Sequence, residues 1–279
     1  MRDGLPAGLR AALEALNARR PDLWLDVRWS RSLLSTMDAA ASAAESGLPA
    51  GHIVLADEQT AGRGRRGRTW CSPPGAGLYF SYVTRPTRHI ELLTIAAGVG
   101  VVEGVARATG VHAHLKWPND LLVGHRKLAG VLAEGAHLGT PRAAVIVGVG
   151  LNLEPAAYPP DVAARATDLE SAGGAGVSRF EIFTAVLEHL SEAFATLEAG
   201  RAGDILQKWR AASPTADGTP VRWLANNVWH YGVTAGIDEA GALRVATDSG
   251  EERVIAGELQ WDPDPLPLIP DPAPTSFRP

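Results

Sequence analysis

Leu9, Leu13 and Leu16 fall at helical spacing ahead of Pro21, so the chain opens on a short helix. Ser35-Thr36-Met37-Asp38 sets a serine three places before an acid and leads into an alanine-rich stretch that closes at Ser46-Gly47. That capping-box-like start predicts a helix over 36–46 with Ser35 as its cap. The apolar run Ile53-Val54-Leu55-Ala56 reads as a buried strand within 51–57, and Leu78 to Val83 as a second one after the turn-rich Ser72-Pro73-Pro74-Gly75-Ala76-Gly77. Leu92, Ile95, Val99, Val102 and Ala106 repeat at three and four and predict a helix across 89–109. Residues 112–117 are extended, Pro118-Asn119-Asp120 turns the chain, Leu121 to Val123 resumes it, and Gly124-His125 connects into a strand around 128–134. Ala143 to Val149 is strongly β-like and ends in Gly148-Val149-Gly150-Leu151-Asn152. After an Ala/Pro/Gly loop, Ser178 with Glu181 repeats the capping-box pattern. It opens a helix with Phe183, Leu187, Leu190, Phe194 and Leu197 as its stripe, and Ile205, Leu206 and Trp209 mark one more short helix.

Past Ser213-Pro214-Thr215 the period changes. Val221, Trp223 and Ala225 alternate, as do Tyr231, Val233, Ala235 and Ile237, with turns at Asp238-Glu239-Ala240-Gly241 and Asp248-Ser249-Gly250. Short strands at this spacing describe a small β-barrel or sandwich. The pattern therefore divides the chain into a mixed α+β domain over 1–214, a β module over 215–262 and a proline-rich tail over 263–279 that is expected to be disordered.

Composition narrows the class. The chain has 279 residues, 46% of them hydrophobic and 20% charged, and a formal net charge of -5, which argues against a nucleic-acid-binding face. No apolar run approaches the ~18 residues of a membrane span, and the start Met1-Arg2-Asp3-Gly4-Leu5-Pro6 is unlike a signal peptide. The lone Cys71 excludes an intramolecular disulfide and a multi-thiolate metal site. These features point to a soluble, cytoplasmic protein.

Against that acidic background, Gly62-Arg63-Gly64-Arg65-Arg66-Gly67-Arg68 concentrates four arginines and three glycines in one loop. Glycine lets the backbone curl, and arginine brings planar donor forks suited to phosphate or carboxylate. The loop is either a grip for a small anion or a solvated charged segment. It lacks the lysine and Ser/Thr of a GxxxxGK[ST] phosphate loop, and Trp70-Cys71-Ser72-Pro73-Pro74 stands where a GxGxxG helix would begin. Of 26 basic residues only Lys116, Lys127 and Lys208 are lysines, and two of them flank the polar segment 116–127. Lys116-Trp117-Pro118-Asn119-Asp120 could neutralise a phosphate and hold a divalent cation at Asp120, or it is a proline turn with Trp117 in the core. Lys127 offers charge to a carboxylate or an anionic transition state, or is an ordinary surface lysine. His112 and His114 alternate on one strand face with no third ligand nearby, which argues against zinc, and Cys71 reads as a small buried filler beside Trp70.

Taken together, four motifs in order are specific. Gly62 to Trp70, then Ser72-Pro73 and Gly77-Leu78-Tyr79-Phe80-Ser81, resembles the signature of biotin protein ligases. Lys116-Trp117-Pro118-Asn119-Asp120 followed by Lys127-Leu128-Ala129-Gly130-Val131-Leu132-Ala133-Glu134 is similar to that family's second signature, and Gly148 to Asn152 to its third. Gly232 to Asp238, Gly241, Leu243 and Gly257-Glu258 resemble its small SH3-like carboxy-terminal domain. The resemblance implies an α+β fold of the class II synthetase-like biotin/lipoate ligase kind, a mixed sheet flanked by helices with an SH3-like barrel appended. It implies a two-step reaction in which biotin and ATP give biotinyl-5'-AMP and pyrophosphate, with Mg²⁺, and biotin then passes to a lysine of a biotin carboxyl carrier protein.

The resemblance also implies roles. Ser35, Thr36 and Gln59 should bond the ureido ring of biotin, with Gly62, Gly64 and Trp70 lining its pocket. Arg65 should retain the adenylate, Arg63 and Arg68 should handle the anhydride and phosphates, and Lys127 should meet the biotin carboxylate. Lys116, Asn119 and Asp120 should serve phosphate and Mg²⁺, with Asp120 the metal ligand and Asn152 near the nucleotide. One departure stands out: the family usually reads Ser-Thr-Asn, and here Met37 replaces the amide with a thioether that cannot donate. About 30 residues precede the likeness, so repression through an amino-terminal helix-turn-helix is not expected. The oligomeric state stays open between monomer and weak homodimer. A non-catalytic binding protein on the same scaffold would need the pocket without Lys127 or Arg65, and both are present.

Overall fold

The computed structural model describes residues 4–225, 228–255 and 259–261. The first helix, α1 (Ala7–Arg19), buries Leu9, Leu13 and Leu16. It is followed by β1 (Asp26–Leu33), α2 (Thr36–Glu45), β2 (His52–Gln59), β3 (Gly77–Thr84) and α3 (Leu93–Thr109). The chain continues through β4 (His114–Lys116), β5 (Asp120–Val123), β6 (Arg126–Ala136), β7 (Ala144–Asn152), α4 (Pro160–Ala163), α5 (Arg179–Glu198) and α6 (Ala202–Ala212). These elements, residues up to Pro214, form one compact unit together with 239–241. Their strands make a mixed seven-stranded sheet in the order β1-β2-β3-β7-β6-β5-β4, in which only β1 and β2 pair in parallel.

Alternation along the central strands sorts residues to the two faces of the sheet. Phe80 of β3 meets Phe183 of α5 edge-on at 5.2 Å between ring centroids, and Tyr82 meets Phe194 at 5.5 Å. Between them Ser81 points the other way, toward α2. On β7 the residues at one parity are Val147, Val149 and Leu151, all buried, while the other parity carries Gly148 and Gly150. One face of the central sheet is thus packed with large apolar side chains and the other is kept low by glycine. The segment Ile90–Thr109 is long and apolar enough to cross a membrane, with a mean hydropathy of 1.4, but most of it is buried inside this unit. Its Gly100 and Gly104 bring α3 against α5 so closely that a Cβ at either would run into the backbone around Leu190 or Val186.

Three features depart from the sequence reading, the first being the single-turn helix α4 within the stretch read as an Ala/Pro/Gly loop. The strand β1 was not legible, because Asp26-Val27-Arg28-Trp29-Ser30-Arg31-Ser32-Leu33 alternates imperfectly and only Val27 is buried, as befits a sheet edge. Ser35 stands at the amino-terminal cap of α2 with extended backbone, yet its hydroxyl makes no capping bond, and Asp38 pairs with Arg63 instead of closing a capping box. At α5 the cap forms, Ser178 accepting from the Phe180 amide.

The second unit, Thr215–Asp238 with 242 onward, contains β8 (Asp217–Ala225), β9 (Val228–Ile237), β10 (Leu243–Thr247), β11 (Gly250–Val254) and β12 (Leu259–Trp261). Among the described residues they form a five-stranded antiparallel sheet in the order β11-β10-β9-β8-β12. Its core is Val221, Trp223, Ile237, Leu243, Val245 and Val254, whereas Tyr231 and Val233 of the alternating β9 set face solvent. The expectation for the tail 263–279, and the Gly257-Glu258 pair of the last motif, lie outside the described residues.

Candidate active site

The glycine-lined face of the sheet is where the polar motifs meet. Gly130 of β6 and Gly150 of β7 are register partners, and the indole of Trp70 lies against both. A Cβ added to Gly150 would overlap Cε2, Nε1 and Cζ2 of Trp70, and one on Gly130 would come within 3.1 Å of Cζ3. Lys127 curls over the same Gly130, with Nζ 5.2 Å from the centroid of Trp70 and 2.6 Å from Oδ1 of Asp120. The Lys127 main chain is fixed independently of its side chain, its N–H donating to Arg165 O at 2.7 Å and its carbonyl accepting from Thr167 N at 2.9 Å. Lys116 stands opposite Asp120 in the β4–β5 pair, and Trp117, joined to Pro118 by a cis peptide, is buried.

The arginine loop is an ordered hairpin. Gly64 N–H donates to Arg68 O at 2.7 Å, Trp70 N–H donates to Gly62 O at 2.9 Å, and Arg63 bridges Thr69. At its tip Arg66 takes the left-handed conformation (φ 57°, ψ 38°) and Gly67 follows at φ 71°, the second of which suits glycine alone without strain. Arg65, half-buried, donates from Nη1 to Asn119 Oδ1 at 3.2 Å, while Asn119 Nδ2 donates to Val131 O at 2.8 Å. Asn119 therefore ties the hairpin to β6. Burial pushes the Arg65 guanidinium below its ordinary value, helped by Arg66 and Arg68 and opposed by Asp120. Because arginine does not give up its proton in practice, the shift reports a cation that is poorly solvated and crowded by like charge.

Beside the base of this hairpin lies a second polar group. Thr36 donates through both its backbone N–H (2.9 Å) and its hydroxyl (3.0 Å) to Gln59 Oε1. Ser35, at 2% exposure, has a hydroxyl without a hydrogen-bond partner among the described residues, and so does the Nε1 of Trp70. Two buried orphan donors on one glycine-lined face are what a polar ligand would satisfy. Met37 explains its own presence. It is 4% exposed in an apolar cluster with Ala40, Ala44, Val54, Val83, Ala144 and Ile146, and a Cβ at Gly148 would lie 2.6 Å from its sulfur. The thioether fills the hollow above Gly148 as part of that apolar cluster.

The structure thus gathers Lys127, Asp120, Asn119, Arg65, Trp70 and Lys116 into one group and Ser35, Thr36, Gln59 and Gly62 into its neighbour, with Gly64 and Arg68 closing the hairpin between. Arg63 is placed differently. Its guanidinium is held by Asp38 and Glu134, each at 2.9 Å, and Glu134 is seven residues beyond Lys127 on β6, on the order of 20 Å along the strand. Asn152 shares the face of Gly150, and its Nδ2 donates to Thr167 O. Sequence reasoning missed Asp38, Ser72 and Ser81. The signal for Ser81 was available, the one serine inside the otherwise aliphatic and aromatic run 78–83. Cys71, read as buried, is half-exposed.

Residues 29–152 match the biotin/lipoate A/B protein ligase family. The chain is 35% identical over 232 residues to the biotin--[acetyl-CoA-carboxylase] ligase of Mycobacterium tuberculosis, covering 80% of this chain and 83% of that protein. The chain belongs to the biotin protein ligase family. It is also 31% identical over 233 residues to the bifunctional ligase/repressor BirA of Bacillus subtilis, covering 82% of this chain and 71% of the relative. Among solved structures, the biotin protein ligase from Aquifex aeolicus in complex with biotin and ATP superposes with a TM-score of 0.74 at 28% identity, covering 86% of this chain and 99% of that one.

In this biotin protein ligase family member the contact between Trp70 and Gly150 is directly testable. Gly150→Ala is expected to push the indole off the sheet and lower stability by about 1–3 kcal/mol, toward the lower end because a half-buried Trp70 can move. Thermal unfolding reads the change, and a midpoint equal to wild type would place Trp70 elsewhere in solution.

Proposed function

We infer that the two groups on the glycine-lined face carry out ATP-dependent ligation of biotin to protein, with the Ser35–Thr36–Gln59 group and Trp70 taking biotin, Lys127 meeting its carboxylate, and Arg65 with its neighbours taking the nucleotide. One observation carries this division. An ordered arginine hairpin links a polar, uncharged group with an unpartnered buried hydroxyl to the cations Arg65 and Lys127. A urea ring needs neutral donors and acceptors, and a triphosphate needs fixed positive charge.

In the first step a carboxylate oxygen of biotin attacks the α-phosphorus of ATP, the bond to the bridging oxygen breaks, and pyrophosphate leaves. Lys127 and Arg65 offset the repulsion between the two anions, and Lys127 is released toward substrate from Asp120. In the second step a lysine amine of the acceptor attacks the acyl carbon, the carbon–oxygen bond to phosphate breaks, AMP leaves and the nitrogen loses its proton. We assign the acceptor to a biotin carboxyl carrier protein, the catalytic role to residues 1–214, and Arg68 and Lys116 to phosphate. Arg63 joins them only by leaving Asp38 and Glu134.

Among the described residues no cluster of three or more His, Cys, Asp or Glu could hold a metal alone. Asp120 would be the protein ligand of Mg²⁺, an ion that takes one or two carboxylates plus substrate phosphate oxygens. When bound, Mg²⁺ supplies neutralisation of the triphosphate charge.

Incubation with biotin, ATP, Mg²⁺ and an apo carrier domain, followed by intact mass, is expected to show one biotin added to the carrier. A carrier unchanged after prolonged incubation would remove the assignment.

A further inference from the structure

Resting on that division of the site, we propose that Ser81 and Ser72 are positioning residues that set the orientation of the Gln59 amide in the biotin pocket and tie the pocket to the base of the arginine hairpin. Ser81 lies in the middle of β3, at 0% exposure, and its Oγ donates to Thr36 Oγ1 at 2.8 Å. The Thr36 proton is thereby directed onward to Gln59 Oε1 at 3.0 Å, where the Thr36 N–H also donates at 2.9 Å. With two donors on its oxygen, the Gln59 amide has a single sense. Its Nε2 faces Ser72, donating to Oγ at 2.9 Å, and Ser72 Oγ donates to Trp70 O at 3.3 Å.

The polarity therefore runs one way from the sheet to the hairpin, Ser81 to Thr36 to Gln59 to Ser72 to Trp70. An amide can fit either way round by shape alone, so the hydrogen-bond partners decide which end a ligand meets. Here they turn the amine end toward the hairpin and give the carbonyl end to Thr36. Gly62 stands at the same junction, and a Cβ there would come 3.1 Å from Gln59 Nε2 and 2.9 Å from Ser72 Oγ. Trp70, whose carbonyl ends the series, donates its N–H to Gly62 O and so closes the hairpin. Neither serine need touch substrate. Each acts through Gln59.

The test uses the full chain, wild type with Ser81→Ala and Ser72→Ala. In the ligand-free protein the side-chain NH₂ resonances of Gln59 read the series itself, whatever the substrate. Both variants are expected to shift them and speed their exchange with water. Steady-state kinetics are expected to show KM for biotin raised roughly tenfold, the scale of leaving one buried polar group unsatisfied, with kcat and KM for ATP within about twofold of wild type. Gln59 resonances unmoved in either folded variant overturn the proposal. Resonances that move while KM for biotin stays at wild type overturn the positioning role, as does a parallel rise in both KM values with a lowered unfolding midpoint. Should Ser81→Ala fail to fold, Ser72→Ala decides on the same readings. A wild type that transfers no biotin would instead remove the functional assignment, with the resonance arm still deciding the orientation of Gln59.

Discussion

Lys127→Ala is expected to stop formation of the adenylate while leaving the fold standing. The ammonium lies between Asp120 and the face of Trp70, the position from which a flexible cation can turn toward an anion entering above Gly130. Charge placed where the transition state needs it is worth on the order of 3–4 kcal/mol, roughly 100-fold or more in rate. Stability should change little for two reasons. The Lys127–Asp120 pair is still in reach of water, at 33% and 27% exposure, and water-exposed ion pairs typically contribute about 0.2–1 kcal/mol. The strand itself is anchored by the Lys127 main chain to Arg165 and Thr167, which alanine keeps. Pyrophosphate release with biotin and ATP, read beside a thermal melt, decides the matter. Release near the wild-type rate would refute the role, and a collapsed melt would show the residue to be structural.

Arg65→Gly is expected to let biotinyl-5'-AMP escape. Arg65 is fixed by Asn119, half-buried, and crowded by Arg66 and Arg68, so an anion lying against it relieves a cation that burial and like charge disfavour. Glycine removes that contact and loosens the hairpin beside Arg66, which already sits in the left-handed region. The first half-reaction should survive, slowed by the loss of one of the two cations that offset repulsion, since Lys127 and the biotin pocket are untouched. The freed anhydride should then acylate lysines on bystander proteins. A streptavidin blot of enzyme, biotin, ATP and serum albumin is expected to show strong labelling of albumin. Labelling no stronger than wild type at matched adenylation rates would mean that Arg65 does not retain the intermediate.

These two expectations rest on different kinds of legibility. Lys127 and Arg65 stand out in the chain because their chemistry is local, a rare lysine in a polar segment and an arginine loop in an acidic protein. Asp38 and Glu134, which hold Arg63, carry no such signal. They come from α2 and β6, and only the folded sheet brings them to one guanidinium. Met37 misled for a related reason. Read beside Ser35 and Thr36 it is a lost polar contact, but helical geometry turns it away from them into the apolar cluster above Gly148. The missing cap at Ser35 follows the same logic, since a local motif predicts a local bond and here that hydroxyl is buried and unpaired.

By itself, the sequence determined what depends on period and on neighbours in the chain. It specified the helices with strong apolar stripes, the buried strands, the α+β order, the change to short strands after Pro214, and the residue types that chemistry on anions requires. The tertiary structure alone decided which strand becomes the edge, which face of β9 is exposed, and which glycines form a floor beneath Trp70. It also decided the sense of the Gln59 amide. The physical reason is common to all of these. Pairing across a sheet, close approach of a ring to a backbone and the direction of a hydrogen-bond series each involve residues far apart in the chain, so no local pattern encodes them.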